Sequence, residues 1–280
     1  MSEMGPKHHL VSVIEPSAEN LVGAWMQWNS LKDDASVSGQ TLGVVARNSQ
    51  ETADILAFSS QLQMRAMSCI PHLSNPFMNR WSIFDADPEL LDRPSLLLAD
   101  WDVIRTASDG NQEPWPVVAE DRLGARKNPT FLYQSLASTI RDYHLDAPVD
   151  LHGNLAESIN GGVMLASGET TTRVREKHRL WFSRVSAITS PQAWQLEQCT
   201  LSMAAAEVGV HPLPNQWNST AASNEKDARI QLFHYNDGDE RTRRLKRGLL
   251  RSGYVTSILD DLAVQFPKTV DEFRRIYEKV

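Results

Sequence analysis

The segment PSLLLADWD, residues 94–102, joins a short apolar run to two acids that follow it directly. The apolar run 96–99 is typical of a strand buried on both faces of a parallel sheet. The carboxyl ends of such strands border the crevice in which α/β proteins bind ligands. Asp100 and Asp102 could therefore share one cation, and carboxylates suit Mg²⁺ or Mn²⁺, which commonly also hold phosphate oxygens of a substrate. Because Asp-x-Asp also occurs in ordinary solvated loops, the pair alone leaves both interpretations open.

Outward from this segment, strand patterns alternate with helical ones. We predict strands at residues 10–14, 39–46, 66–70 and 94–100, with helices after Ser17, from Ser49 and around 77–84. A loop is expected at 107–116, a strand from 159 to 166, and long helices at about 171–186 and 191–208. Alternating strands and helices favour right-handed βαβ units. The sequence thus predicts an α/β fold with a mostly parallel, Rossmann-like sheet flanked by helices, in one domain spanning residues 1–280.

Composition narrows the class of protein. The chain has 280 residues, a net charge of −7 and a pI of about 5.6, which argues against a nucleic-acid binder because that function needs a broad basic surface. Residues 1–9 lack the apolar core of a signal peptide, and no apolar stretch approaches the roughly 20 residues that span a bilayer. Cys69 and Cys199 cannot form a disulfide framework. We expect a cytoplasmic protein with no membrane span and no nucleic-acid partner.

Two further segments could carry chemistry. Asn160-Gly161-Gly162 opens an apolar strand, and its glycines would let the backbone approach a ligand, although a plain turn has the same appearance. His234 ends a second apolar run and could ligate a metal or bind phosphate, although a lone histidine is more often structural. The basic residues between 241 and 251 could neutralise a diphosphate or simply form a solvated helix face.

The order of these segments resembles that of the GT-A nucleotide-sugar glycosyltransferases, especially the retaining families related to glycogenin and the bacterial galactosyltransferases. The resemblance covers roughly residues 75–240. It is carried by LLLADWD (96–102), INGGVML (159–165), the acid-Gln pair Glu197-Gln198, LPNQWN (213–218) and LFHYNDG (232–238). The chain departs from the family pattern in having Glu rather than Asp in the acid-Gln pair. It also lacks the lysine that usually follows the last segment.

The resemblance implies a nucleotide-sugar donor, by default a UDP-sugar, an acceptor that the sequence does not identify, and transfer with retention. About residues 10–105 would form a nucleotide-binding half, and about 106–280 an acceptor-side half with C-terminal helices. Mn²⁺ or Mg²⁺ would be held by Asp100, Asp102 and His234. The implied donor-binding residues are Arg80, Asp100, Trp101, Asp102, Gly161 and Gly238, and the implied catalytic residues are Asn160, Glu197 and Gln198.

Two other functions fit the same pattern. A nucleotidyltransferase that joins a nucleotide to a sugar phosphate uses a similar sheet and metal, but the N-terminal region lacks the Gly-rich basic signature that binds a triphosphate. A non-catalytic nucleotide-sugar binding protein on the same fold is the third candidate.

Overall fold

The structure, a computed structural model, describes residues 7–16, 18–45, 49–72, 75–105, 113–127, 158–188, 193–220, 231–234 and 260. The strands in these ranges are β1 (His8–Ile14), β2 (Val37–Val45), β3 (Ala66–Cys69), β4 (Leu96–Ala99), β5 (Val103–Arg105), β6 (Leu123–Lys127), β7 (Ile159–Ala166), β8 (Val210–Pro212), β9 (Ser219–Thr220) and β10 (Leu232–His234). The α-helices are α1 (Ala18–Leu31), α2 (Ser49–Gln61), α3 (Ser82–Ala86), α4 (Gly168–Ser186) and α5 (Ala193–Val208). Short 3-10 helices lie at Pro76–Trp81, Pro88–Asp92 and Asn215–Trp217.

Seven strands form the main sheet, in the order β3-β2-β1-β4-β7-β6-β8. Strands β1 to β4 pair in parallel, and β8 pairs in parallel with β6. Strand β7 runs antiparallel to both of its neighbours, β4 and β6. Because β7 is reversed, its first residues lie beside the end of β4, at the edge where the parallel strands finish. The predicted α/β fold with a mostly parallel sheet is confirmed.

A small second sheet continues from this edge. Strand β5 begins just after the Asp-Trp-Asp segment and pairs antiparallel with β10, which in turn pairs in parallel with β9. His234 lies opposite Val103 in this pairing. The backbone of His234 is therefore brought beside the residue that follows Asp102, although the two are far apart in sequence.

The predicted long elements are found with shifted ends. Helix α4 begins at Gly168 rather than near 171, because the side chain of Ser167 caps it by accepting a hydrogen bond from the Thr170 backbone N–H at 3.1 Å. Helix α5 follows the predicted 191–208 closely, and residues 189–192 lie outside the described ranges. Strands β5, β6, β8 and β9 were not predicted, because each is short and lacks an apolar period.

Apolar side chains fill both faces of the main sheet. Leu96 and Leu98 of β4 join the cluster that contains Trp81 and Trp181, while Leu97 faces the cluster that contains Trp217. All four residues of β4 are buried, as expected for a central strand. No helix within the described part of the chain is long and apolar enough to cross a membrane.

Candidate active site

A cleft of about 540 Å³ opens at the carboxyl edge of the main sheet. It is bordered by the ends of β1 and β4, by the 3-10 helix at 76–81 and by the start of β7. Its volume is within the range of about 300–1,000 Å³ that is typical of small-molecule sites. Of the predicted site residues, Arg80, Asp100, Trp101, Asp102 and Gly161 line it.

The Asp-Trp-Asp segment forms a tight turn between β4 and β5. The backbone N–H of Val103 donates to the carbonyl of Asp100 at 3.1 Å, and the N–H of Asp100 donates to the carbonyl of Gly162 in β7 at 2.9 Å. The side chain of Asp100 is 37% exposed, whereas Asp102 is buried. Trp101 packs against the apolar cluster that contains Ile14 and Leu21. The turn therefore has a fixed backbone and carries two carboxylates at the cleft.

Arg80 connects three elements around the cleft. Its Nη1 donates to the carbonyl of Gly161 at 2.9 Å, its Nη2 lies 3.7 Å from Oδ1 of Asp100, and its Nε lies 3.0 Å from Oε1 of Glu197. Gly161 allows this close approach, because an added Cβ would lie only 2.8 Å from Nη1 and would displace the guanidinium. Burial lowers the pKa of Arg80, but the charges of Glu197 and Asp100 outweigh it and the net shift is upward. The guanidinium is thus a permanent cation at the cleft wall.

Glu197 is buried behind this guanidinium. Its side chain is 3% exposed, and burial raises its pKa to about 7 in spite of the lowering effect of Arg80. The charge of Asp100 raises it further. Glu197 is not among the residues that line the cleft, and the described contact of its carboxylate is with Arg80.

We expect the stability of the wild type relative to Glu197→Gln to fall as the pH rises from about 4.5 to about 7. In this window the folded protein keeps a proton on Glu197 that the unfolded chain has released, so rising pH favours unfolding. The amide of the variant does not titrate, and the other titrating groups are common to both proteins. Thermal unfolding of the two proteins across this pH range measures the difference. A difference that does not change with pH would contradict the raised pKa.

His178 fastens the segment that carries Arg80 to the helix that carries Glu197. Its Nδ1 accepts a hydrogen bond from Nε1 of Trp81 at 2.8 Å, which leaves Nε2 to donate toward the carbonyl of Glu197 at 3.2 Å or Oγ1 of Thr200 at 3.1 Å. Complete burial lowers the pKa of His178 to about 3, with a further lowering by the charge of Arg80. The ring is therefore neutral, and the tautomer is fixed by its partners.

Asn160 and Gln198 lie beside the cleft without lining it. Oδ1 of Asn160 accepts from the N–H of Gly162 at 2.9 Å, and its carbonyl accepts from Nδ2 of Asn218 at 3.3 Å. Nε2 of Gln198 donates to the carbonyl of Ile159. These contacts fix the irregular start of β7, which is the strand that approaches Arg80.

Comparison with solved structures identifies the architecture. A crystal structure of the galactosyltransferase LgtC in complex with donor and acceptor sugar analogs aligns with 87% of this chain and 96% of its own, at 14% identity and a TM-score of 0.51. An active-site mutant of LgtC aligns with 85% of this chain and 94% of its own, at 13% identity and a TM-score of 0.52. The chain has the GT-A fold. The GT-A glycosyltransferase GlyE of Streptococcus pneumoniae TIGR4 also aligns, over 83% of this chain and 55% of its own, at 14% identity and a TM-score of 0.52.

No family model and no curated protein sequence matches this chain. The GT-A resemblance inferred from five short segments is instead confirmed by the similarity of the fold to these solved structures. At identities of 13% and 14%, the solved structures establish the architecture and leave the activity to be argued from the site.

The predicted site residues not yet placed are His234, the last residue of β10, and residues that follow it in the sequence. Only the backbone of His234 is described, so its role as a metal ligand stays a prediction. Gly238 and the basic residues between 241 and 251 lie outside the described residues. Among the side chains that the structure describes, no three His, Cys, Asp or Glu groups gather into a metal site.

Sequence reasoning missed several residues of the GT-A cleft. Glu15, just after β1, and Asn20, in the first turn of α1, line it, and Nδ2 of Asn20 donates to the carbonyl of Glu15 at 3.1 Å. Glu15 is an acid directly after an apolar strand, which is the same signal that singled out Asp100, so it could have been found. His178 and Gln27 are buried and do not line the cleft; they support its walls through contacts between distant residues, which carry no local signal in the sequence.

Proposed function

We propose that this protein is a glycosyltransferase that moves a sugar from a nucleotide-diphosphate donor, a UDP-sugar, to an acceptor with retention of configuration and with a divalent cation. The observation that carries the proposal is the composition of the cleft. Two carboxylates on one fixed turn and one partly buried arginine meet at the carboxyl edge of a GT-A sheet. The galactosyltransferase LgtC was crystallised with donor and acceptor sugar analogs, which are the kind of substrate pair proposed for this chain.

The cation in this proposal is Mn²⁺ or Mg²⁺, held by Asp100, Asp102 and His234. Carboxylate oxygens are the ligands that these hard cations prefer, and the two carboxylates follow the same strand. The pairing of His234 with Val103 supports including the histidine. When bound, the cation supplies positive charge for the diphosphate that leaves the sugar.

Arg80 adds a second positive charge on the same side of the cleft. Its side chain is 18% exposed, so a phosphate oxygen or a sugar hydroxyl can reach it from the cleft. Glu197 and the carbonyl of Gly161 hold the guanidinium in one orientation, which lowers the cost of ordering it around the donor. Trp101, Gly161 and Gly238 complete the proposed donor site.

Asn160 and Gln198 are proposed to act at the sugar, and Glu197 is proposed to act on it indirectly. Asn160 and Gln198 shape the start of β7, where the sugar would lie beside Gly161. Glu197 acts in this proposal through Arg80, which it contacts directly.

Release of nucleotide from a panel of UDP- and GDP-sugars, with Mn²⁺ and with EDTA, tests the activity. We expect Mn²⁺-dependent release of UDP from one donor, with faster release when the acceptor is present. Magnetic resonance of the product then reports the configuration at the anomeric carbon. Release of pyrophosphate from UTP and a sugar phosphate, without hydrolysis of any nucleotide-sugar, would contradict the proposal and favour a nucleotidyltransferase.

A further inference from the structure

Helix α1 presents a buried polar side chain to the turn that carries the two carboxylates. Gln27 is 1% exposed, and its Nε2 donates to the carbonyl of Asp100 at 2.6 Å. The Oγ of Ser12, in β1, lies 2.6 Å from Oε1 of Gln27 and 2.8 Å from the carbonyl of Ala99, and its single proton is shared between these acceptors. The carbonyls of Ala99 and Asp100, the last two before Trp101, thus both accept hydrogen bonds from buried side chains.

The carbonyl of Asp100 is also the atom that closes the turn. It accepts the backbone N–H of Val103 at 3.1 Å in addition to the amide of Gln27. A carbonyl oxygen has two lone pairs, so the two donors together saturate it. If the Gln27 donor is lost, the carbonyl of Asp100 loses one of its two described donors at the point where the chain reverses between Asp100 and Asp102.

Residues of α1 and just after it also contact Arg105, the last residue of strand β5, which follows the turn. The Oγ of Ser30 accepts the backbone N–H of Arg105 at 3.0 Å, and Asp34, just past the helix, forms an ion pair with the side chain of Arg105. Gln27 and Ser30 are three residues apart and therefore lie on one face of α1. Ser30 and Asp34 hold β5 in place, so Gln27 is the member of this face that contacts the turn itself.

We propose that Gln27 is a positioning residue that sets the Asp100–Val103 turn for the divalent cation of the donor. This inference rests on the proposed function, because it assigns the cation to Asp100 and Asp102. Its physical basis is preorganisation. A turn that is already held by Gln27 loses less conformational freedom when the carboxylates bind a cation than a turn held only by its own backbone bond.

Gln27→Met is the informative variant, because it keeps the volume of the side chain and removes the amide donor. Gln40→Met is the matched control. Gln40 is a buried glutamine that borders the same small cavity beneath β1, and it makes no described contact with the turn. Both variants replace a buried amide with a thioether, so a general effect of the substitution on folding should appear in both.

The affinity for Mn²⁺ in the presence of UDP, measured by calorimetry, is the primary readout. We expect Gln27→Met to weaken Mn²⁺ binding by about fivefold or more, which is about 1 kcal/mol, and Gln40→Met to stay within about twofold of the wild type. Hydrogen exchange of the 99–105 segment should accelerate in Gln27→Met alone. In turnover, the apparent constant for Mn²⁺ should rise while kcat at saturating Mn²⁺ stays near that of the wild type.

The outcomes separate the two proposals. If the wild type binds Mn²⁺ with UDP and Gln27→Met binds it equally well, the positioning role is refuted and the proposed function stands. Equal weakening in both variants would also refute the positioning role, because the effect would then be general. A wild type that binds no Mn²⁺ in the presence of UDP would refute the proposed function, and the inference with it.

Discussion

Replacing Asp102 by Asn is expected to lower metal-dependent turnover of the donor by at least about 100-fold, or about 2.7 kcal/mol of transition-state stabilisation. The substitution is nearly isosteric, but it removes one of the two carboxylate charges that the proposal assigns to the cation. The leaving diphosphate would then lose most of the positive charge that stabilises it. Steady-state kinetics over a range of Mn²⁺ concentrations measures the effect.

Asp87→Asn is the control for this prediction. Asp87 is buried to nearly the same degree as Asp102, but it pairs with Arg65 at 2.7 Å and does not line the cleft. Its substitution should lower stability and leave the Mn²⁺ dependence of turnover unchanged. Asp102→Asn turnover within a few-fold of the wild type, in a folded variant, would remove Asp102 from the proposed metal site.

The largest expected effect on stability is at Gly168, the first residue of α4. A Cβ at this position would lie 1.8 Å from the carbonyl oxygen of Leu91 and 2.4 Å from its carbonyl carbon. The colliding atoms belong to the backbone, so no side-chain rotation can relieve the clash. We expect Gly168→Ala to lower the free energy of unfolding by about 3 kcal/mol or more.

Thermal unfolding checks this prediction, since about 2–4 °C is lost per kcal/mol in proteins of about 150–250 residues. Glu169→Ala, at the next and exposed position of the same helical turn, is the control and should change the melting temperature by much less. A Gly168→Ala variant as stable as the wild type would mean that the 3-10 helix at 88–92 can move away from α4.

The sequence predicted those parts of the fold whose signals are local. Strand β4 was found because four apolar residues are followed directly by an acid, and α5 because its apolar residues recur at helical spacing. Strand β6 has the sequence Leu-Gly-Ala-Arg-Lys, which is neither a continuous apolar run nor an alternation of apolar and polar residues. It is recognisable as a strand only from its pairing with β7 in the structure. The early start of α4 is not predicted by propensity, because Gly168 is a poor helix former and the helix start depends on the cap that the Ser167 side chain supplies.

The residues of the candidate site also fall into those that the sequence predicts and those that only the structure reveals. Asp100 and Asp102 could be predicted because a strand delivers them to the sheet edge. The pairing of Arg80 with Glu197 could not, because it joins a 3-10 helix to α5 across the reversed strand β7. No pattern in the sequence specifies the direction of β7, and that direction decides which residues meet Arg80.

The reversed strand also has a consequence for the order in which the chain can fold during synthesis. Residues 100–158 lie between β4 and its partner β7, so the ribosome releases β4 well before the strand that covers its second edge. Until β7 arrives, that edge of the nascent sheet is open to pairing with other chains. In the same interval the N–H of Asp100 has no acceptor from Gly162, so the carboxylate turn lacks one of the backbone hydrogen bonds that hold it in the folded protein. A nascent chain released at about residue 110 should therefore be prone to aggregation and should bind Mn²⁺ more weakly than the 280-residue chain, whatever its content of native strands.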